Sequence, residues 1–300
     1  MHMNNDMNPS GKGYALVTGG TSGIGYELAK LMCKDGYNLI LVARCAERLE
    51  EVCNEFRTQG VTAVPLAADL FRPEAAAEVY ESIRARDLPV SILVNNAGQG
   101  ERGPFCQVPL ERHQDLIQLN VTAPVTLTRL IACDMVQRGE GRILNVASIV
   151  SKTPAPDFAI YAASKAFLLS FSQALSVELE GTGVTVTALL PGRTDTDFFF
   201  KAHMDDAKEY QDHSLADPAE VAADGYEALM NGESRVVSGA QTKMMMGMLN
   251  AKPDQANAES MHENMQPTEK PVGEWRTQSS HAPSVKERES IGVITGDLVR

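Results

Sequence analysis

Tyr161 and Lys165 stand four residues apart and could together move a proton. That spacing places both side chains on one face of a helix. A tyrosine hydroxyl ordinarily ionises at about pH 10, and a neighbouring ammonium group favours the phenolate and so lowers the pKa of the tyrosine. The pair could give a proton to a carbonyl oxygen or take one from an alcohol. The spacing alone is a weak signal, because such pairs are common on solvated helices.

A serine stands where it could act on the same oxygen. Ser148 directly follows the apolar run Ile143–Ala147, which predicts a buried strand. Ligands of open α/β sheets bind at the carboxyl ends of the strands. We therefore expect the Ser148 hydroxyl to hold a substrate oxygen and to stabilise charge that develops on it.

A glycine-rich turn over Thr18–Gly25 follows the predicted strand Tyr14–Thr18 and opens a predicted helix. In this context the free backbone N–H groups and the helix dipole favour a pyrophosphate. The glycine spacing is G-x-x-x-G-x-G, which departs from the general dinucleotide pattern G-x-G-x-x-G. A glycine-rich connection without a ligand remains the alternative at this point.

The end of the second predicted strand indicates which dinucleotide would bind. An NAD site carries a carboxylate near this point for the ribose 2′-hydroxyl. Here Ala43 and Arg44 occupy the place, with no acid before Glu47. An arginine can pair with a 2′-phosphate, and Ser22 can donate a further hydrogen bond. The sequence therefore predicts NADP(H), with a solvated helix-cap arginine as the alternative reading of Arg44.

Apolar runs alternate with helix-like segments along the chain. Continuous apolar strands separated by helices predict a parallel sheet covered on both faces. The expected fold is a single-domain α/β protein with a doubly wound, Rossmann-type parallel sheet flanked by helices. The predicted strands are Tyr14–Thr18, Leu39–Val42, Ile92–Val94, Ile143–Val146, Val184–Leu190 and Arg235–Val237, and the predicted helices are Gly23–Lys34, Ala46–Gln59, Pro73–Arg86, Leu110–Arg138 and Phe158–Glu180.

Composition predicts a globular protein with no footprint for nucleic acid or an anionic membrane. The chain has 300 residues, is 43% hydrophobic and carries a net charge of −12. Its five cysteines are scattered without a C-x-x-C pair, which favours reduced thiols over disulfides or zinc. We see neither a signal peptide nor an apolar run of about 18 residues, so a cytoplasmic location is expected.

Several motifs in order carry a resemblance to one family. They are TGGTSGIG at 18–25, AADL at 67–70, NNAG at 95–98, Asn120, Ser148, YAASK at 161–165 and PG at 191–192. Over about residues 13–238 the chain resembles the short-chain dehydrogenase/reductase family, in the subset with the TGxxxGxG turn and the YxxxK site. The VAR ending of the second strand resembles the NADP-preferring members.

The resemblance implies hydride transfer between NADP(H) and a carbonyl or secondary alcohol. Asn120 would complete a catalytic tetrad with Ser148, Tyr161 and Lys165 by binding, through its backbone, a water that links the lysine to solvent. Lys165 would also hold the nicotinamide ribose. Thr196 would contact the carboxamide, whereas Thr194 replaces the aliphatic residue usual in the family.

The predicted cofactor-binding residues come from the turn, the strand ends and the catalytic helix. Asp69 and Leu70 would bond the adenine edge, and the segment 95–98 would stabilise the sheet and border the adenosine ribose. The complete predicted set is Gly19, Thr21, Ser22, Gly23, Ile24, Gly25, Arg44, Asp69, Leu70, Asn95, Ala97, Gly98, Tyr161, Lys165, Pro191, Gly192, Thr194 and Thr196.

Domain boundaries and partners follow from composition changes. We expect a disordered leader over 1–12, the Rossmann-type domain over 13–250 and a polar, largely flexible tail over 251–300, with a short helix around Ala256–Met265. We expect Met244–Met246 and Met248 to take part in ordinary packing rather than to line an apolar binding surface. The helix Tyr161–Leu179 is apolar nearly all round, which predicts a homodimer or homotetramer through helices 110–138 and 158–180, or else burial within the chain.

The substrate is a small molecule that the sequence does not identify. The predicted substrate loop Phe198–His213 carries three phenylalanines and indicates a bulky apolar compound. A 3-oxoacyl thioester reductase is the alternative within the enzyme class, and a non-catalytic NADP-binding regulator or an interaction protein acting through the tail are the alternatives outside it. His113, His203 and His213 lack metal-ligand spacing, so surface positions and no metal site are expected.

Overall fold

A parallel sheet of seven strands forms the centre of the molecule, in the order β3-β2-β1-β4-β5-β6-β7. The computed structural model describes residues 12–204, 206–208 and 214–267. The strands are β1 Tyr14–Thr18, β2 Asn38–Ala43, β3 Ala63–Ala67, β4 Val90–Asn95, β5 Gly141–Val146, β6 Val184–Leu190 and β7 Arg235–Val237. The predicted doubly wound α/β fold is confirmed.

Helices cover both faces of this sheet. They are α1 Gly23–Lys34, α2 Ala46–Arg57, α3 Ala75–Ala85, α4 Leu110–Ile117, α5 Ala123–Arg138, α6 Ala159–Glu178, α7 Phe198–Lys201, α8 Pro218–Asn231, α9 Ala240–Ala251 and α10 Asp254–Met265. The sequence analysis did not predict α8, although Asp217 caps its first turn and Gly232 ends it in a left-handed conformation.

The strand order reverses beside β1, and this reversal determines where a ligand can bind. Leu16 of β1 pairs with Ile40 of β2 on one side and with Leu93 of β4 on the other. The chain connections on the two sides of β1 therefore run in opposite directions. This leaves a crevice between them at the carboxyl ends of the strands.

Alternating side chains of each strand build two separate cores. Leu16, Ile40 and Leu93 belong to the core that packs against α3 and α5, whereas Val17 and Leu41 belong to the core on the opposite face. All five are fully buried. Because both faces are covered, the strands are mostly apolar and lack a continuous polar face.

One continuous helical stretch, Leu110–Arg138, is long and apolar enough to cross a membrane by length and composition. Its mean hydropathy is high enough for a membrane span, although polar residues interrupt every apolar run. Half of its most apolar window is buried inside the fold, and Leu127, Ile131 and Met135 belong to the core of one sheet face. We therefore assign this stretch as a core helix of the domain.

The outer side of α6 explains why its sequence is apolar all round. Leu168 and Leu169 are buried against the sheet, whereas Phe167 is 43% and Val177 is 64% exposed. Burial within the chain therefore explains only part of the apolar surface of α6. That a second subunit covers the remaining part is still a prediction.

Helical packing continues past residue 250, where the sequence placed the start of the polar tail. The short helix expected around 256–265 is present as α10, and its Asn257, Met261 and Met265 are buried. Of the methionine cluster, Met246 is buried while Met244 and Met248 are exposed. Residues 1–11 and 268–300 lie outside the described residues, so the predicted leader and most of the predicted tail do as well.

Candidate active site

A cavity of about 1450 Å³ lies at the carboxyl edge of the sheet, in the crevice beside β1. It is lined by most of the residues that the sequence singled out. These are Gly19, Thr21, Ser22, Gly23, Ile24, Arg44, Asp69, Leu70, Ala97, Gly98, Ser148, Tyr161, Lys165, Pro191, Gly192, Thr194 and Thr196. Gly25, Asn95 and Asn120 belong to the same region but do not line the cavity.

The glycine turn presents the first turn of α1 to the cavity. Ser22 precedes the helix in an extended conformation, and its side chain makes no capping hydrogen bond. No acidic residue stands in the first turn of α1, so the start of this helix carries no charge that opposes a bound anion. Gly25 packs against the carbonyl of Gly19 so closely that a Cβ would collide with it. Gly25 therefore holds the helix against the turn and does not face a ligand.

Asn95, which was predicted to bind the cofactor, is buried in the core, whereas its neighbour Asn96 lines the cavity. The Asn95 amide donates to the Thr128 hydroxyl at 2.9 Å and to the Asn145 amide oxygen at 2.8 Å inside the core. The Asn96 amide donates to the carbonyls of Thr18 and Gly19 at 3.0 and 3.1 Å, and Asn96 lines the cavity. Consecutive strand residues point to opposite faces, which explains the exchange.

Arg44 lies at one end of the cavity, on the predicted side. It is exposed, and no carboxylate of the described residues pairs with it. Its guanidinium lies 5.4 Å from the centre of the Phe71 ring, and that of Arg112 lies 5.6 Å from the same ring. Asp69 accepts a hydrogen bond from the Phe71 backbone at 3.3 Å, which fixes this wall. A cationic group thus faces the cavity beside the glycine turn.

Ser148, Tyr161 and Lys165 come together at the middle of the cavity. Ser148 follows β5 and caps the short 3₁₀ helix Ile149–Lys152. Its side chain lies beside Tyr161 and acts to lower the pKa of the Tyr161 hydroxyl. The Lys165 ammonium donates to the Val146 carbonyl at 2.7 Å and lies 5.7 Å from the centre of the Tyr161 ring. The three side chains are all less than 10% exposed.

The pKa of Tyr161 differs from the sequence expectation. We expected Lys165 to lower it, but burial raises the pKa of Tyr161 and outweighs the lowering by the Ser148 hydrogen bond. Burial also lowers the pKa of Lys165 to about 8. Desolvation disfavours the charged form of each group, and this accounts for both directions. At neutral pH Tyr161 is therefore a neutral phenol, able to donate a proton.

Asn120 lies behind this cluster rather than on the cavity wall. It is part of the π-helical turn Gln118–Thr122 between α4 and α5. Its side chain exchanges hydrogen bonds with the backbone of Gln99, at 2.8 and 3.1 Å. A Cβ on Gly98 would lie 3.2 Å from both the Asn120 amide oxygen and the Lys165 nitrogen, so Gly98 leaves room for that pair to come close. Such π turns are frequent at functional sites.

The two threonines after Pro191-Gly192 have different surroundings. The Thr194 hydroxyl donates to the Gly192 carbonyl at 3.2 Å, and the residue is 5% exposed. Thr196 accepts a hydrogen bond from the Phe198 backbone at 3.3 Å, and its methyl group would lie 2.8 Å from a Cβ on Gly23. Thr196 therefore lies beside the glycine turn, while the hydroxyl of Thr194 is used by the main chain.

Beyond Tyr161 the cavity becomes aromatic and sulfur-rich. The Tyr161 ring lies 4.5 Å from Phe158 and 5.0 Å from Phe198, between ring centres. Phe199, Met204, Met261 and Met265 complete this wall. Of the predicted substrate loop Phe198–His213, residues 205 and 209–213 lie outside the described residues.

Among the histidines, His113 departs from the expected surface position. It is buried, its ring stacks on Phe105 with 4.7 Å between ring centres, and its Nε2 lies 3.1 Å from the Phe105 carbonyl. His203 is largely exposed and lies 2.5 Å from Glu101. His213 lies outside the described residues.

Comparison with known proteins identifies the family. A sequence model of the short chain dehydrogenases matches residues 13–207. The chain belongs to the short-chain dehydrogenase family.

Solved structures and curated relatives agree with this membership. A short-chain dehydrogenase from Sphingobium yanoikuyae in complex with NADPH is 33% identical with a TM-score of 0.71, over 82% of this chain and 98% of that chain. The bulky-bulky ketone specific alcohol dehydrogenase from Comamonas testosteroni is 31% identical with a TM-score of 0.67, over 82% and 96% of the two chains.

A very-long-chain 3-oxoacyl-CoA reductase from Ajellomyces capsulatus is 39% identical over 179 residues. The match covers 58% of this chain and 52% of that protein. This chain thus spans about half the length of that relative, and 60% of the length of a short chain dehydrogenase from Pseudocercospora fijiensis.

Several lining residues of this short-chain dehydrogenase were not found from the sequence. Among them, the Glu101 carboxylate forms an ion pair with Arg112 at 2.8 Å. Burial alone would raise the pKa of Glu101, but hydrogen bonds with His203 and Arg112 outweigh burial and lower the pKa. Met261 and Met265 stand four residues apart, which signals a shared helix face, but that spacing does not indicate what the face contacts.

The contrast between Asn95 and Asn96 gives a testable outcome. We expect Asn95→Ala to lower the free energy of unfolding by about 2–3 kcal/mol, because it leaves buried partners unpaired. NADPH affinity of the folded variant should be unchanged. Urea unfolding and NADPH titration measure the two quantities.

Asn96→Ala is the matched control, since it frees the carbonyls of the glycine turn and should weaken NADPH binding. If Asn95→Ala weakens NADPH binding more than Asn96→Ala does, the assignment of the two asparagines is wrong.

Proposed function

We propose that this protein is an NADP(H)-dependent oxidoreductase that interconverts a carbonyl compound and a secondary alcohol. The observation that carries the proposal is the buried Tyr161, which lies beside Lys165 and shares the wall of one large cavity with Ser148. Membership of the short-chain dehydrogenase family supports the same chemistry.

The residues of the cavity fit NADP(H). The first turn of α1 offers backbone N–H groups without an opposing acid, and Arg44 is available to a 2′-phosphate. The cavity volume exceeds the roughly 300–1,000 Å³ of ordinary ligand pockets, which leaves room for a dinucleotide and a substrate together. When bound, NADPH supplies the hydride that the carbonyl carbon receives.

The protein's own groups would handle the oxygen and the proton. Ser148 donates a hydrogen bond to the substrate oxygen and stabilises the negative charge that develops there. Tyr161 gives its phenolic proton to that oxygen. Lys165, with Asn120 behind it, provides the route by which Tyr161 regains a proton. Because burial keeps Tyr161 protonated, the phenol at neutral pH is in the form that donates a proton in ketone reduction.

Removal of the phenol tests this role. We expect Tyr161→Phe to lower kcat for ketone reduction by about 10²- to 10⁴-fold, because the proton donor is lost, with NADPH affinity retained. Steady-state kinetics and NADPH titration measure the two effects. Tyr80→Phe removes a hydroxyl that bonds Asp134 far from the cavity and serves as the control. Equal activity of the two variants contradicts the assignment.

The pKa of Lys165 predicts a pH dependence. Its ammonium form can return a proton to Tyr161, and this form is lost as the pH rises through about 8. We expect kcat for ketone reduction at saturating NADPH to be level below about pH 7 and to fall about tenfold per unit well above pH 8. A rate that stays level to about pH 10, the ordinary pKa of a tyrosine, contradicts this expectation.

Arg44 tests the cofactor. Loss of a charged hydrogen-bonding partner of the 2′-phosphate should raise the KM for NADPH about 10- to 100-fold in Arg44→Ala and leave the KM for NADH unchanged. Arg48→Ala is the control, since Arg48 pairs with Glu51 on the exposed side of α2. If both cofactors respond alike to Arg44→Ala, the preference for NADP(H) rests on other residues.

A second candidate is a reductase of 3-oxoacyl thioesters. The 39% identity to a very-long-chain 3-oxoacyl-CoA reductase favours it, and the apolar end of the cavity suits an acyl chain. Reduction of a free ketone and of the matching 3-oxoacyl thioester, compared by kcat/KM, separates the two functions.

Assembly and location belong to the same proposal. The outer faces of α5 and α6 carry exposed Val136, Phe167 and Val177, and Phe167 stacks on Phe171 with 5.9 Å between ring centres. These surfaces support a homodimer or homotetramer. The five free cysteines support a reducing, cytoplasmic location.

A further inference from the structure

The helix α10 closes the apolar end of the cavity, although it lies beyond the part of the chain that the family model matches. That match ends at residue 207. Met261 and Met265 stand one helical turn apart, are 9% and 2% exposed, and both line the cavity. Their side chains belong to the same buried cluster as Phe158 and Tyr161. A segment outside the matched region therefore contacts the site where the carbonyl would react.

The carboxyl end of α10 is tied to the chain segment that contains His203 and lines the cavity. The Arg102 guanidinium donates to the carbonyls of Met265 at 2.7 Å and of His203 at 2.8 Å, and it pairs with Asp206. The Lys208 backbone donates to the Gln266 carbonyl at 3.1 Å. Arg102 thus holds α10 together with the segment around His203 and Asp206 at one point.

Further polar contacts fix the rest of the helix. Asn257, which is 2% exposed, donates to the Leu249 carbonyl at 2.9 Å and anchors α10 on α9. His262 lies 3.1 Å from the Asp157 carboxylate, just before α6. Because α6 carries Tyr161, these contacts set the position of both methionines relative to the reacting oxygen.

The side chains of the aromatic and sulfur-rich wall of the cavity favour an uncharged group of the substrate. Its side chains are aromatic or thioether, and the charged residues at the same end are paired. Glu101 lies 2.5 Å from His203, and Lys201 lies 3.3 Å from Asp197. A charged substituent would displace one of these pairs or enter an apolar wall, and both are costly.

We propose that Met261 and Met265 are specificity-determining residues that receive a large, uncharged hydrocarbon group of the carbonyl substrate. This inference rests on the proposed function. Methionine is flexible and polarizable, so the wall adapts to alkyl chains or fused rings of different shape. The preference for bulky substrates thus comes from α10, outside the matched family region.

The test compares methyl ketones from 2-butanone to 2-dodecanone. In the unchanged protein kcat/KM should rise with chain length, as more apolar surface is buried. In Met261→Ala and Met265→Ala the ratio of kcat/KM for 2-dodecanone to that for 2-butanone should fall about tenfold, mainly through KM. Met261→Leu and Met265→Leu should restore most of the ratio, because they refill the wall.

Two further measurements separate a binding role from a structural one. Met244→Ala and Met248→Ala change exposed methionines of α9, at 60% and 55% exposure, and should keep the ratio of the unchanged protein. Calorimetry with NADP⁺ present should show weaker 2-dodecanone binding in the Met261 and Met265 alanine variants by the same factor, without any turnover.

The outcomes are distinct. An unchanged ratio in both alanine variants, or equal loss for short and long ketones, overturns the inference. If the unchanged protein reduces no ketone but calorimetry shows length-dependent binding that Met261→Ala and Met265→Ala weaken, the proposed reaction fails and this inference stands. If it reduces ketones without preference for length, the reaction stands and the inference fails.

Discussion

The strand order reverses at β1, between its neighbours β2 and β4, and this reversal positions the candidate groups that follow the strand ends. The carboxyl ends of β1, β2, β4 and β5 meet on the two sides of one crevice. The glycine turn follows β1, Arg44 follows β2 and Ser148 follows β5. Apolar strands buried on both faces keep these ends in register, since a shift of one residue would turn Asn96 into the core and Asn95 towards the cavity.

Burial also determines the protonation states of Tyr161 and Lys165. Removing Tyr161 and Lys165 from water penalises the phenolate and the ammonium alike. The tyrosine therefore holds its proton while the lysine gives up its proton at lower pH, with its pKa near 8. Tyr161 can therefore donate a proton, and desolvation, rather than attraction between a phenolate and an ammonium, determines its protonation state.

Local patterns in the sequence predicted the parts of the site that depend on neighbours in the chain. The Tyr161–Lys165 spacing, the glycine turn and the strand before Ser148 are short-range features, and the structure brings them together as expected. The asparagines show the limit: either one of Asn95 and Asn96 suits the motif, and only the register of β4 decides which faces the cavity.

Long-range contacts could not be predicted in this way. The place of Met261 and Met265 depends on Arg102, which lies more than 150 positions earlier in the chain and joins Met265 through its backbone carbonyl. No periodicity in the sequence signals such a contact. The raised pKa of Tyr161 likewise depends on how completely tertiary packing excludes water, and the Y-x-x-x-K spacing carries no information about burial.

The most direct measurement is the oxidation of NADPH by the purified protein in the presence of a panel of aldehydes and ketones, followed by the near-ultraviolet absorbance of the cofactor and by detection of the alcohol. The proposed chemistry predicts carbonyl-dependent oxidation of NADPH with one alcohol formed for each NADPH consumed. Binding of NADPH with no alcohol formed from any carbonyl would contradict it, and would indicate a protein that binds the cofactor without using it.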